Sequence, residues 1–401
     1  MLADRWRKKK KKADMNLKQR KLRVIISGGG TGGHIFPAIA IANALKKINS
    51  ENEFLFVGAA GRMEMEKVPA AGYRIEGLNI SGMQRKWVFK NILLPVKVIK
   101  SILKARQIIR NFSPDAAVGV GGYASGPLLY AATSMKIPSL IQEQNSFAGV
   151  TNKILSKRVT KVCVAYEGME IFFPKSKIVI TGNPVREDMI KIEGKRRDAL
   201  NFFGLDENKK TILIIGGSLG ARTINECIQH GLAEFKRRNI QLIWQTGKNF
   251  ESKAAELISE SAAKGIVTHG FIQRMDYAFA AADVIISRAG ASTVSELALV
   301  GKPAILVPSP NVAEDHQTKN AMALVQKNAA LLVKDSDAKN ELLKKIFELI
   351  NDETQMKSLS NNIKSLAITN SAERIANEIY EMVNESTLIN HSANAKRQTP
   401  N

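Results

Sequence analysis

Apolar residues in this chain fall in short, nearly unbroken runs, and most runs end in glycine or a polar turn. The first is Leu22–Ser27 (LRVIIS), followed by Gly28-Gly29-Gly30-Thr31-Gly32-Gly33-His34. Continuous β-rich runs of this length predict strands buried on both faces. The period then changes. Ile39, Ala42, Leu45 and Ile48 share one face of a helix over Pro37–Ile48. Phe54–Val57, Ala116–Val120, Ser139–Gln142, Lys161–Ala165 and Lys177–Thr181 read as further strands, with a long helical pattern at Ile92–Ile109. The second half begins the pattern again. Lys210–Ile215 runs into Gly216-Gly217-Ser218-Leu219-Gly220-Ala221-Arg222, a helix follows from about Thr223, and strands recur at Ile240–Thr246, Ile266–His269, Val284–Ser287 and Ala304–Val307. Strand, glycine turn, helix, begun twice, predicts an α/β protein of two Rossmann-like domains with mostly parallel sheets. The 401 residues suit two domains of about 100–200 residues each. The boundary is expected near residues 183–205, around Pro184 and a charged stretch through Arg197. A last helical pattern covers Ser371–Val383, and the tail from Asn384 is polar and expected to fray.

Charge adds a direction to this picture. The formal net charge is +22, and residues 1–23 carry eleven Lys or Arg against Asp4 and Asp14. Such an excess favours anionic partners: nucleic acid, acidic lipid or phosphorylated substrates. Residues 1–20 read as a disordered basic arm. No apolar stretch follows Arg5–Lys12, so the arm does not read as a secretory signal, and no run approaches the roughly 20 residues a membrane-spanning helix needs. Cys163 and Cys227 lack metal or disulfide spacing and read as buried small hydrophobes in a reducing compartment.

The glycine turns carry the candidate chemistry. GGGTGGHIFP lacks the Lys-Ser/Thr pair of a phosphate-binding P-loop, and no acidic residue ends the second strand as a dinucleotide fingerprint requires. Its glycines still permit close approach of a ligand, and amides at the following helix start favour an anion or electron-rich oxygen. Taken alone, a nucleotide site and a plain tight turn remain equally open. His34 stands where strands present ligands. Its ordinary pKa suits a base taking a proton from a hydroxyl, against the simpler alternative of a locally bonded histidine at a helix start. In GGSLGAR, Ser218 and the amides around it suit a pyrophosphate, while Arg222 either assists or caps the region. In SRAGASTVSE, Glu296 falls early in a helix, where it suits ribose hydroxyls or simply complements the helix dipole. Gln142-Glu143-Gln144-Asn145 offers amides for sugar hydroxyls, and His316, Gln317 and Asn320 lie beyond another strand end. No Asp-x-Asp metal clamp is apparent in the donor region.

GGGTGGHIFPAIAIA, GGYASGP, QEQNSFAGVTNKIL, GNPVR, GGSLGAR, SRAGASTVSE and HQTKNA occur in that order. Over roughly residues 21–385 the chain resembles the bacterial MurG family of UDP-N-acetylglucosamine–N-acetylmuramyl-(pentapeptide) pyrophosphoryl-undecaprenol N-acetylglucosamine transferases. The resemblance implies the GT-B fold, with two Rossmann-like domains facing across a cleft. It divides the chain into an acceptor and membrane-contact domain over 21–185, a donor domain over 186–370, a helix over 371–385 packing back towards the first domain, and a tail over 386–401. It implies inverting transfer of GlcNAc from UDP-GlcNAc to the C4 hydroxyl of MurNAc in lipid I, giving lipid II for peptidoglycan synthesis, cell shape and division. The place implied is the cytoplasmic side of the inner membrane, peripherally bound, with an anionic membrane surface and other cell-wall and division proteins as partners and no nucleic acid.

Carried over by position, His34 is the catalytic candidate. Thr31, Gly32, Gly33, Asn145, Arg186, Ser218, Phe271, Ile272, Glu296 and Gln317 form the donor set, with Ser218 on phosphate, Phe271 and Ile272 beside the uracil, Glu296 on ribose and Gln317 on GlcNAc. His316 departs from the family pattern, which often has glutamine there. No tightly bound cofactor is implied, and Mg2+ is at most stimulatory. Residues 74–110 hold nine Lys or Arg and one Glu around apolar side chains. Trp87, Phe89, Leu93 and Leu94 among them suit acceptor or membrane contact, against the alternative of an ordinary amphipathic helix packed on the sheet. Three alternatives stand against the transferase: a soluble nucleotide-sugar enzyme of the same architecture, a nucleic-acid-binding protein suggested by charge alone, for which no motif is present, and a retained fold without activity, against which the intact candidate residues stand.

Overall fold

The computed structural model describes residues 20–80, 94–185, 191–217, 219–261 and 264–397, apart from the side chains of 94, 260, 261, 313 and 389–397. The chain divides into two compact units, one of residues 1–144, 148–185 and 370–401, the other of 145–147 and 186–369.

The first unit is built on seven parallel strands: β1 (Arg23–Gly28), β2 (Glu53–Ala59), β3 (Arg74–Leu78), β4 (Ala116–Gly121), β5 (Ser139–Glu143), β6 (Lys161–Val164) and β7 (Ile178–Ile180), in the order β3-β2-β1-β4-β5-β6-β7. Helices α1 (Gly32–Ile48), α2 (Glu64–Ala70), α3 (Leu94–Phe112), α4 (Ser125–Ser134) and α5 (Val150–Ser156) connect them. Successive residues of β1 point to opposite faces. Val24 and Ile26 enter a core with Ile35, Ala38, Ile41 and Leu45 of α1, while Ile25 enters a second core with Ala105, Ile108 and Ile109 of α3 and Leu128 and Leu129 of α4. Both faces are therefore covered, which is why the consecutive residues Val24, Ile25 and Ile26 are all apolar. Each such fully buried Ile, Leu or Val contributes about 1.5–3 kcal/mol relative to exposure.

The second unit repeats the design with β8 (Thr211–Ile215), β9 (Gln241–Gln245), β10 (Ile266–His269), β11 (Val284–Ser287), β12 (Ala304–Leu306) and β13 (Leu331–Leu332), ordered β10-β9-β8-β11-β12-β13. Its helices are α6 (Arg196–Phe203), α7 (Arg222–Arg237), α8 (Glu251–Ser261), α9 (Met275–Ala281), α10 (Ala291–Val300), α11 (His316–Val325), α12 (Ala338–Asn351) and α13 (Glu353–Ser365). In each sheet the strand order reverses once, between β1 and β4 and between β8 and β11. Open parallel sheets bind ligands beyond the strand ends at such switch points.

The last helix, α14 (Ser371–Arg397), belongs to the first unit and buries Ile375, Ala376, Ile379, Tyr380, Met382 and Val383 in the α1 core. Tyr380 Oη exchanges hydrogen bonds with Asn52, and Lys161 pairs with Glu378 and Glu381. The helix continues to Arg397 instead of fraying from Asn384. Two strands escaped the hydrophobic pattern. β3 is half-exposed with a sequence of RIEGL, and β13 has only two residues. Helix α1 begins at Gly32, inside the glycine turn and five residues before Pro37. Cys163 and Cys227 are buried free thiols, and burial pushes the Cys163 thiol far up from its ordinary value. No described helix is long and apolar enough to cross a membrane.

Candidate functional site

At the switch point of the first unit two glycine turns interlock. The register between β1 and β4 shifts at Ser27/Gly28, which places Gly28 opposite Gly121 and starts both turns at one level. Gly29 N–H donates to Gly121 O at 3.3 Å. Gly121 and Gly122 have φ of +110° and +90°. A Cβ on Gly122 would lie 2.5 Å from Gly29 O, and one on Gly121 would lie 2.6 Å from His34 Cδ2. His34, half-buried in the first turn of α1, has Nδ1 3.0 Å from Gly29 O and 3.3 Å from Thr31 Oγ1. A carbonyl only accepts, so Nδ1 carries the hydrogen, and in the neutral ring the lone pair is on Nε2. Thr31 is the exposed N-cap of α1, and Gly32 and Gly33 are its first helical residues, whose amides have no intrahelical carbonyl to meet. Behind the turn stands a residue that no motif pointed to. The buried Glu64 accepts Gly30 N–H at 2.8 Å and Ala59 N–H at 3.0 Å.

The QEQN segment is used differently from the expectation. Gln142, Glu143 and Gln144 are buried. Gln142 Nε2 donates to Asn183 Oδ1 at 2.9 Å, Asn183 Nδ2 to Gln144 O at 2.9 Å, and Gln144 Nε2 to Val120 O at 2.7 Å. Glu143 Oε2 accepts Gly149 N–H at 3.1 Å and Asn152 Nδ2 at 2.8 Å. These groups build the loop, because burial obliges them to find partners inside the protein, and they do not present amides to a sugar. Asn145 differs again. It falls in the second unit, where its Oδ1 accepts from Asn320 Nδ2 at 3.1 Å, and Asn320 Oδ1 in turn accepts Ser146 N–H at 3.0 Å.

In the second unit the turn after β8 is equally constrained. Gly216 N–H donates to Gln245 O, and a Cβ on Gly247 would lie 2.0 Å from Gly220 N. Arg222 pairs with Glu226 at 2.8 Å on the surface. Beyond β11, Gly290 is the N-cap of α10, and Glu296 is half-buried on its second turn. Gln317 Oε1 accepts Ser309 N–H at 2.8 Å and Ala289 N–H at 3.3 Å, while Asn320 Nδ2 donates to Ala289 O at 3.3 Å. The backbone of Ala289 is thus clamped from α11. His316 Nδ1 is buried with no hydrogen-bond partner among the described residues, next to Glu314 and Asp315 in left-handed backbone. Phe271 is 55% exposed beyond β10, whereas Ile272 is buried and its N–H donates to Gln245 Oε1 at 3.2 Å. That main-chain donor must exchange partners before it can read a base edge.

Sequence reading missed an ion pair here. Arg288 Nη1 meets Asp335 Oδ1 and also donates to Val307 O at 3.0 Å and Pro308 O at 3.2 Å; Asp335 Oδ2 accepts from Thr223 Oγ1 at 2.9 Å. An Asp-x-Asp spacing does occur in this unit, at Asp335-Ser336-Asp337, contrary to the expectation. Its first carboxylate is held by Arg288 and Thr223, an arrangement that leaves it committed to a cation already. Among the described residues no group of three or more His, Cys, Asp or Glu is placed to hold a metal.

Arg186, Ser218, Trp87, Phe89 and Leu93, together with the basic arm up to residue 19, lie outside the described residues, as does the Leu94 side chain. Helix α3 begins immediately afterwards. It buries Ser101, Ala105, Ile108 and Ile109 and exposes Val96, Ile99 and Leu103 beside Lys97 and Lys100, so it packs on the sheet and also carries an outward apolar stripe.

The glycosyltransferase family 28 N-terminal domain matches residues 24–164, and the glycosyltransferase family 28 C-terminal domain matches residues 211–395. Proteins named UDP-N-acetylglucosamine–N-acetylmuramyl-(pentapeptide) pyrophosphoryl-undecaprenol N-acetylglucosamine transferase are similar throughout. The one from Parabacteroides distasonis is 57% identical, covering 91% of this chain and 100% of its own length. That from Cytophaga hutchinsonii is 55% identical, covering 91% and 98%. Among solved structures, the MurG of Acinetobacter baumannii is 28% identical with a TM-score of 0.75, covering 90% of this chain and 100% of that one. A UDP-GlcNAc 2-epimerase from Neisseria meningitidis, solved with UDP-GlcNAc, shares the fold at 16% identity and a TM-score of 0.62, covering 91% and 100%.

Proposed function

The chain belongs to the MurG family of UDP-GlcNAc-dependent glycosyltransferases, and we propose from that membership how its residues divide the work. The reaction is transfer of GlcNAc from UDP-GlcNAc to undecaprenyl-pyrophosphoryl-MurNAc-pentapeptide, lipid I, giving lipid II and UDP. The observation that carries this is the 57% identity over the entire length of a transferase so named. The epimerase likeness, at 16% identity, supports the fold and nothing more.

An inverting transfer is a single displacement. The acceptor O4 forms a bond to the anomeric carbon as the bond from that carbon to the UDP oxygen breaks on the opposite face. The O4 proton needs an acceptor, the diphosphate needs charge stabilisation, and both sugars need holding in line. In our reading His34 Nε2 takes the proton. The lone pair is placed there because Nδ1–H is engaged with Gly29 O. Thr31, Gly32 and Gly33 line the same turn. On the donor side, Ser218 and the amides of the second glycine turn meet the diphosphate, and Arg186 helps to hold the nucleotide. Glu296 holds the ribose, Phe271 and Ile272 face the uracil, and Gln317 and Asn145 bear on the GlcNAc. Gln317 acts with its amide nitrogen, since its oxygen already holds Ser309 and Ala289. No tightly bound metal is assigned a part, and Mg2+ is at most stimulatory.

The acceptor's undecaprenyl chain lies in a bilayer, so we infer that the enzyme works as a peripheral protein on the cytoplasmic face of the inner membrane. The exposed stripe Val96, Ile99 and Leu103 with neighbouring lysines supports this, as does the sequence that sets Trp87, Phe89, Leu93 and Leu94 among basic residues. Other cell-wall and division proteins are the expected company there.

The decisive experiment is UDP release from UDP-GlcNAc, with and without a lipid I analogue in detergent, for wild type and His34→Ala. Acceptor-dependent release that drops by about 10²-fold or more in the variant, with UDP-GlcNAc binding retained, supports both the reaction and the base. Release that is unchanged by the substitution removes His34 as base, and no acceptor-dependent release from wild type removes the reaction.

A further inference from the structure

We propose that Glu64 is a positioning residue for His34, acting through the peptide between Gly29 and Gly30. The proposal rests on His34 serving as the proton acceptor described above.

Glu64 opens α2 and is 1% exposed. Its Oε2 accepts Gly30 N–H at 2.8 Å. Gly29 O accepts from His34 Nδ1 at 3.0 Å. Gly29 O and Gly30 N–H are the two ends of one peptide unit. Carboxylate, peptide and imidazole therefore stand in series, on opposite sides of a single planar conjugated group. A negative charge on the N–H side draws electron density towards the carbonyl oxygen, and hydrogen bonds in such a chain strengthen one another. The carbonyl becomes a better acceptor for Nδ1–H. That fixes the tautomer and ring orientation and supports the imidazolium that forms when Nε2 takes the acceptor's proton. Outer partners act on histidine ligands of metals in the same way.

The packing supports this. The Glu64 side chain passes between the ends of β1 and β2, and two glycines clear its path. A Cβ on Gly29 would lie 2.2 Å from Glu64 Oε1, and one on Gly58 would lie 2.6 Å from Glu64 Cγ. The other oxygen, Oε1, is anchored by Ala59 N–H at 3.0 Å, so the carboxylate cannot swing away from Gly30. Among the described residues no lysine, arginine or histidine forms an ion pair with Glu64, although burying a carboxylate without a cation is expensive. Other charges near α1 are committed elsewhere or face outward. Glu66 and Lys67 of α2 are exposed, Lys47 at the far end of α1 pairs with Glu373 of α14, Arg23 of β1 pairs with Glu53, and Glu378 and Glu381 of α14 pair with Lys161. β4 has no titratable side chain, and Tyr123 beyond it is exposed.

A double-mutant cycle tests the proposal: wild type, Glu64→Gln, His34→Ala and the double variant, assayed for acceptor-dependent UDP release, with the pH profile of kcat/KM for the acceptor taken on wild type and Glu64→Gln. Glu64→Gln is expected to lower kcat about tenfold or more with KM for UDP-GlcNAc unchanged. Its acid limb moves to lower pH, because the imidazolium loses support. In the His34→Ala background the same substitution has little further effect. A loss of equal size in both backgrounds overturns the proposal, as does an acid limb that stays in place. Should Glu64→Gln fail to fold, Glu64→Asp carries the same cycle, since it keeps the charge on an arm too short to reach both amides. If His34→Ala retains wild-type rates, the base assignment has failed instead. A His34→Ala defect with additive Glu64 losses defeats this proposal alone.

Discussion

Arg288 and Asp335, 47 positions apart in sequence, form an ion pair with less than a fifth of either side chain exposed, tying the residues after β11 to those after β13. Thr223 at the start of α7 closes the other side of Asp335. Removing one member of a largely buried pair strands the other's charge, and costs about 3–5 kcal/mol in typical cases. Asp335→Ala is therefore expected to lower the melting temperature by several degrees and to weaken UDP-GlcNAc binding, because Arg288 also holds the carbonyls of Val307 and Pro308. Calorimetry with and without UDP checks both. A melting temperature within a degree of wild type contradicts the structural part.

Gly30 and Gly122 share one site and one backbone requirement, φ of +82° and +90°. They differ in surroundings. A Cβ on Gly30 meets nothing within 4 Å, while one on Gly122 strikes the Gly29 carbonyl at 2.5 Å. Gly30→Ala is expected to cost only the backbone term, about 1–2 kcal/mol. Gly122→Ala must in addition push Gly29 O away from His34, so its activity falls at least tenfold below that of Gly30→Ala. Parallel rate and melting measurements decide, and equal activities in the two variants contradict the interlock.

The central strands were legible in the sequence because β1, β4, β8 and β11 are covered on both faces and can hold little but apolar residues. β3 was not, since an edge strand with one exposed end tolerates Arg74 and Glu76, and those charges resembled part of a basic surface segment. The glycine turns and His34 were legible from spacing. Glu64 was not: its partners are main-chain amides, and amide partners leave no pattern in side-chain identity. The polar run Gln142-Glu143-Gln144 misled for a related reason. Polarity beyond a strand end marks either a ligand or a loop that must satisfy its own buried groups, and here Asn183, Val120 and Asn152 take up those groups. Arg288 was visible as a residue, but only the fold brings Asp335 to it.

His269 supplies a pH dependence. Burial lowers its pKa from the ordinary value, with the charge of Glu251 opposing, and its Nε2 has no hydrogen-bond partner among the described residues. The unfolded chain therefore binds a proton as pH falls below about 6.5, before the folded protein does. The stability contributed is fully present above that pH and is lost on acidification through the folded value. His269→Phe, which keeps a ring beside Phe203 (centroids 5.7 Å apart in the wild type), does not titrate. Its melting temperature relative to wild type should rise on going from pH 7.5 to 5 by on the order of 1–3 °C. A constant difference across that range would falsify the assignment.

Helix α3 permits a test that separates the proposed membrane contact from chemistry. Its inward face, Ala105, Ile108 and Ile109, is needed for the sheet, whereas Val96, Ile99 and Leu103 are 48%, 59% and 58% exposed and support no core. Replacing Ile99 and Leu103 by glutamate should leave folding intact, since surface changes away from buried features usually stay within about 0.5 kcal/mol. The same change removes apolar area from any lipid contact and adds charge that anionic headgroups repel. Each side chain buried in lipid contributes about 1.5–3 kcal/mol, so partition to vesicles containing acidic lipid should fall at least tenfold. Activity on lipid I in vesicles falls with it, while activity on a short-chain, water-soluble acceptor analogue stays near wild type. Sedimentation with vesicles measures the first quantity and UDP release the other two. Loss of activity on the soluble analogue would mean that this face serves the fold or the acceptor sugar instead, and unchanged sedimentation would mean that α3 does not meet the membrane.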